Sequence, residues 1–72
     1  METIYLRDDF IKLGQAIKFV GFVENGVEAK EVITEGSVLV NGEADTRRGR
    51  KLYEGDTVEY QGKTIKICKK KS

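Results

Sequence analysis

"EAKEVITEGSVLVNG", residues 28–42, changes its apolar period midway, and that change decides the fold. Ala29, Val32 and Ile33 recur at helical spacing, whereas Ser37-Val38-Leu39-Val40 is a β-type run. Gly36, between them, suits the C′ position of a helix, where a left-handed backbone is wanted. Asn41-Gly42 is the strongest short-range hairpin signal, because both residues tolerate φ > 0. A helix therefore leads into a strand, and the strand into a tight turn. Just upstream, Asn25 with Glu28 three residues later has the capping-box pattern and predicts a helix over 26–35.

Toward the N-terminus, Thr3-Ile4-Tyr5-Leu6 reads as a strand. Phe10, Leu13, Ile17 and Val20 then fall at i, i+3, i+7 and i+10, one stripe of a helix near 10–20. Asp8 and Asp9 are the expected N-caps of this helix, and Gly21 is its stop. Gly14 costs about 1 kcal/mol relative to alanine inside a helix, which suggests a close helix contact.

Toward the C-terminus, Glu43-Ala44-Asp45-Thr46 should return antiparallel from the turn. Lys51-Leu52-Tyr53, Thr57-Val58-Glu59-Tyr60 and Thr64-Ile65-Lys66-Ile67-Cys68 read as further strands, separated by turns at Glu54-Gly55-Asp56 and Gln61-Gly62. The expected architecture is α+β: two short helices packed on a small, mostly antiparallel sheet.

Composition sets the outer limits. Seventy-two residues, with 39% hydrophobic content, eight glycines and no proline, fit one small globular domain over 1–72. A core of that size leaves about 3–5 kcal/mol of stability. Cys68 is the single cysteine, so no internal disulfide is expected, and the thiol reads as structural. With no secretory pattern and no membrane-length apolar run, a cytoplasmic setting is the default.

The formal charge of +1 conceals a polarity along the chain. Residues 1–45 carry four basic and nine acidic side chains, and residues 46–72 carry nine basic and three acidic. Arg47, Arg48, Arg50 and Lys51 crowd into "TRRGRK", residues 46–51. They are either solvated loop residues or a surface for an anionic partner, since a basic face attracts phosphates whatever the total charge. Catalysis finds no footing: the chain has no histidine, no C-x-x-C, and no glycine-rich phosphate loop opening a helix. No catalytic residue, cofactor, metal or small-molecule substrate is expected.

Glu28-Ala29-Lys30, Ile33, the run Glu35-Gly36-Ser37-Val38-Leu39-Val40-Asn41-Gly42 and the later Gly55-Asp56-Thr57-Val58 together resemble the S-four (S4) RNA-binding domain. This family includes ribosomal proteins, pseudouridine synthases, tyrosyl-tRNA synthetases and a ribosome-associated heat-shock protein. The likeness spans roughly 10–60 and is strongest to the small stand-alone bacterial members. It implies the alpha-L motif, in which two helices and a following β-hairpin loop grip structured RNA through backbone and shape. A-form RNA hides its base edges in a deep narrow groove, so phosphates and 2′-hydroxyls are within a compact domain's reach.

On that resemblance, Arg47, Arg48, Arg50 and Lys51 are the expected phosphate contacts, in a loop exposed enough to be replaced without loss of fold. Lys12, Lys18 and Lys30 extend the patch, Asn41 adds a secondary contact to its turn role, and Lys69-Lys70-Lys71 begins a frayed basic tail over 69–72. Gly26 stands where many members have an arginine that meets phosphate, which shifts the burden to the arginine loop. The expected partner is structured RNA, ribosomal RNA or a ribosome-assembly particle first and tRNA second, bound by a monomer away from membranes. The competing reading is a protein-interaction adaptor using the acidic helical face of Glu24, Glu28, Glu31 and Glu35.

Overall fold

The computed structural model describes residues 2–69. Its elements are β1 (Glu2–Leu6), β2 (Ile11–Lys12), α1 (Leu13–Phe19), α2 (Gly26–Thr34), β3 (Val38–Val40), β4 (Glu43–Ala44), β5 (Lys51–Leu52), β6 (Thr57–Tyr60) and β7 (Lys63–Lys69). Five strands form one sheet in the order β1-β7-β6-β3-β4. All its pairings are antiparallel except β1 with β7, which is parallel. Alternation along the strands turns Ile4, Leu6, Val38, Val40, Val58, Ile65 and Ile67 inward, where they meet Leu13, Ala16 and Ile17 of α1 and Ala29 and Ile33 of α2. Two helices on one face of a mostly antiparallel sheet is the architecture the period change predicts.

The helix ends follow the chemistry of their residues. Asn25 Oδ1 accepts the Glu28 N–H at 2.9 Å, while Glu28 Oε1 reaches back to the Glu24 N–H at 3.3 Å. Behind α2, Gly36 at φ 81° lets the Ser37 N–H reach Val32 O and the Gly36 N–H reach Ile33 O, which satisfies the last carbonyls. Asn25→Ala should therefore destabilise the domain by about 0.5–2 kcal/mol. Urea melts that superimpose for mutant and parent would show that the cap does not operate.

The start of α1 differs from expectation. Asp8 and Asp9 do not cap it: α1 begins at Leu13 and Lys12 holds the cap position without a side-chain bond. Ile11 and Lys12 instead pair with Leu52 and Lys51, an isolated two-stranded ladder. Backbone from the arginine loop takes the place of a side-chain cap: Arg50 O accepts from the Leu13 N–H at 2.8 Å and Arg48 O from the Gly14 N–H at 3.1 Å. Phe10 thus lies outside the helix.

The strand after the hairpin is only Glu43–Ala44, because Asp45 turns inward. Ser37 precedes β3 and closes the α2 end instead of extending the strand. Lys69 ends β7 and pairs with Asp9 at 3.6 Å, so the frayed tail does not begin there; Lys70, Lys71 and Ser72 lie outside the described residues.

Candidate nucleic-acid interface

The arginine loop is organised by a carboxylate. Asp45 is 7% exposed, and its two oxygens accept from Arg47 Nε at 3.1 Å, Arg47 Nη2 at 2.9 Å and Arg50 Nη1 at 2.7 Å. The Arg47 backbone N–H adds a bond of 2.9 Å to Oδ1, which winds the chain back after Asp45. These bonds, led by the Arg47 side chain and opposed by burial, hold the Asp45 carboxyl well below the usual carboxylate range. Arg47 in turn is pushed above its ordinary value by the same hydrogen bond and ion pair.

The four cations of the loop therefore divide by role. Arg47 and Arg50 are tied to Asp45, although Arg47 keeps 71% of its side chain exposed and Arg50 only 30%. The Lys51 ammonium lies 4.8 Å above the Phe10 ring. Arg48 has no ion pair among the described residues, and its stem lies across α1: a Cβ placed on Gly14 would stand 2.7 Å from Arg48 Cγ. The close contact expected at Gly14 is made by the Arg48 stem and backbone of the loop, not by another helix. Replacing all four cations would remove the Arg47 and Arg50 side-chain bonds and leave the buried Asp45 carboxylate with the Arg47 backbone N–H alone.

Where the loop meets the two helices there is a concavity of about 290 Å³ lined by Lys12, Gly14, Gln15, Lys18, Gly26, Ala29, Arg48 and Gly49. Among the described residues, three cations line it and no carboxylate does. Its small residues keep the floor low, so a bulky anionic chain can approach closely. Gly26 opens α2 here and brings the positive end of the helix dipole to the groove. Lys12, Lys18 and Arg48 are thus gathered by the fold, whereas Lys30 is exposed on α2 and does not line the groove.

Asn41 is occupied elsewhere. With Gly42 it forms the expected turn, at φ 52° and 85°. Its Oδ1 accepts from the Thr57 N–H at 2.9 Å and its Nδ2 donates to Asp56 Oδ1 at 3.0 Å. Asp56 Oδ2 also takes the Tyr53 N–H at 2.8 Å. The V-N-G and G-D stretches are therefore two halves of one clasp, and the Asn41 amide is engaged at both ends within the protein. On the acidic face, Glu28 is drawn into the α2 cap and Glu35 accepts the Ser37 hydroxyl at 3.3 Å, so two of its four carboxylates have local work.

Sequence reasoning did not single out Gln15, Gly49 or Asp45. The signal for Asp45 was a carboxylate two and five residues before arginines, a spacing that suits an inward turn. Among the described residues no cluster could hold a metal ion, and no helix is long and apolar enough to cross a membrane.

Residues 4–68 match the family model described as the S4 domain. The chain is 48% identical over 59 residues to the probable ribosome maturation protein RlbA of Bacillus subtilis, a match covering 82% of this chain and 83% of that protein. It is 35% identical over 57 residues to the putative RNA-binding protein YbcJ of Escherichia coli, covering 79% and 81%. The solution structure of E. coli YbcJ, described as revealing an alpha-L motif involved in RNA binding, superimposes with a TM-score of 0.72 at 33% identity, over 94% of this chain and 87% of that one.

Proposed function

This chain belongs to the S4 domain family, and on that premise we propose that it is a non-catalytic module that binds structured RNA through the groove between α1, α2 and the arginine loop. One observation carries the reading: Lys12 and Lys18 of the β2–α1 stretch and Arg48 of the distant loop line a single concavity that, among the described residues, contains no carboxylate. Phosphates of an RNA backbone fit such a surface, and guanidinium offers them two parallel hydrogen bonds. Arg47 and Lys51 do not line the groove but add positive charge from the same loop, and Arg50 acts through the shape of the loop. The target is ribosomal RNA or an assembling ribosomal particle in the bacterial cytoplasm, with tRNA second. The name of the B. subtilis relative supports that ranking.

Phosphate contacts release condensed counterions, so affinity must fall with salt. Combining Lys12→Gln, Lys18→Gln and Arg48→Gln removes three charges and leaves the Asp45 cluster intact. The slope of log affinity against log salt should shrink by about 2–3, given roughly 0.7–0.9 per contact. Filter binding at several salt concentrations measures the slope, and circular dichroism checks the fold. An unchanged slope in the folded triple mutant would remove the groove from the interface. Losses should be similar across unrelated structured RNAs, since phosphate contacts carry no sequence information directly.

A further inference from the structure

A second and larger concavity, about 700 Å³, runs between β1 and α1 beside the basic groove. Tyr5, Phe10 and Phe19 line it together with Arg7 and Lys18, and among the described residues Asp8 is its one carboxylate. Phe19 is 73% exposed and Tyr5 64%. Two open aromatic residues thus share one concavity. Phe10 continues the aromatic strip: its ring lies 6.1 Å from that of Tyr53, beneath the Lys51 ammonium.

Gln15 and Lys18 line both concavities, so the two form one continuous surface. We propose that the β1–α1 groove receives unpaired RNA bases, so that the domain grips the junction between an RNA helix and a single-stranded segment. This rests on the RNA-binding reading above. Duplex RNA presents phosphates but no base faces, which matches the basic groove and leaves the aromatic one unused. A single strand presents both, and it is recognised by flat rings for its bases and cations for its backbone. Arg7, Lys18 and Lys51 supply those cations within or beside the aromatic strip. The volume lies in the range of about 300–1,000 Å³ that buries a drug-sized ligand, room for a nucleotide or two.

The test compares three RNA probes at one salt concentration: a blunt hairpin, the same hairpin with a four-nucleotide single-stranded tail, and that tail made abasic. The abasic tail keeps its phosphates and loses its bases. The native tail should tighten binding by roughly five- to 150-fold, the range of one stacked base, and the abasic tail should lose most of that gain. Phe19→Ala and Tyr5→Ala should each reduce the gain while binding the blunt hairpin as the parent does. Phe19→Leu, apolar but without a flat ring, should behave as Phe19→Ala, and Phe19→Trp should retain the gain. A tail that adds nothing, or adds as much when abasic, overturns the proposal while leaving the basic groove standing. Equal tail binding by Phe19→Ala and Tyr5→Ala also overturns it and leaves the groove to another occupant, such as a peptide added along the free edge of β1. A parent that binds tails through these rings but ignores blunt hairpins overturns the junction grip and removes the basic groove from the interface, while the aromatic groove keeps its single-stranded ligand.

Discussion

Leu52→Ala is expected to bring the domain to the edge of unfolding in water. Leu52 is fully buried and stands in β5 opposite Ile11 of β2. Leucine-to-alanine changes in a packed core cost about 2–5 kcal/mol, the loss of transfer energy plus that of the cavity left behind. A chain of 72 residues has only about 3–5 kcal/mol to lose. The position matters as much as the volume. Leu52 closes the short ladder that carries the arginine loop onto α1, next to the bonds from Leu13 N–H to Arg50 O and from Gly14 N–H to Arg48 O. Its neighbour Tyr53 is half exposed and meets the rest of the protein through the Phe10 ring, so Tyr53→Ala should cost only about 0.5–1.5 kcal/mol. Urea melts of the two variants make the comparison. A Leu52→Ala midpoint as high as that of Tyr53→Ala would mean that the ladder is not part of the cooperative core.

The features legible in the sequence were those whose causes are local. Gly36 and Asn41-Gly42 need left-handed backbone, and a side chain that provides it can be read from its identity alone. Asn25 bonds three residues ahead, and the alternation of β6 and β7 reflects one buried face. What could not be read was satisfied from far along the chain. Asp8 and Asp9 offered a plausible cap for α1, yet its first N–H groups found carbonyls at Arg48 and Arg50. No local pattern reports a partner more than thirty residues away. The short strand after the hairpin has a local cause instead: the Asp45 N–H still reaches Val38 O at 3.2 Å, but its side chain gathers Arg47 and Arg50, two and five residues on, and the chain turns there.

The candidate site divides along the same line. Charge and composition pointed to residues 46–51 as a unit, but the structure separates them: Arg48 lies at the groove, Arg47 and Arg50 hold Asp45, and Lys51 covers Phe10. Lys12 and Lys18 join Arg48 because the loop crosses α1 at Gly14, a glycine that appears only as a propensity cost until its neighbour is seen. Lys30 could not be told from Lys18 by spacing alone; what separates them is the path of the loop.

Asp45→Asn is expected to weaken the fold in a way that depends on pH, and its sign follows from the direction of the shift. In the unfolded chain the carboxyl titrates near its ordinary value of about 3.9. In the folded protein it titrates well below the usual carboxylate range, because Arg47 and Arg50 stabilise the charged form. The pair's contribution is therefore fully present above the unfolded value and is lost as pH falls from there toward the folded one. Asparagine keeps the size but carries no charge, so the stability gap between parent and mutant should be constant from neutral pH to about 5 and should narrow below about 4. At neutral pH the gap should be about 1–3 kcal/mol, the cost of leaving buried hydrogen-bonding groups without their partners. Screening of the exposed Arg47 by water favours the lower part of that range. RNA affinity should fall as well, although Asp45 touches no ligand and its removal makes the protein more positive. Simple electrostatics predicts tighter binding for that change, so weaker binding would mark a loop that has lost its shape. Melts between pH 3 and 7, with filter binding at pH 7, measure both effects. Parallel stability profiles together with tighter RNA binding would show that Asp45 only dilutes the positive charge of the loop.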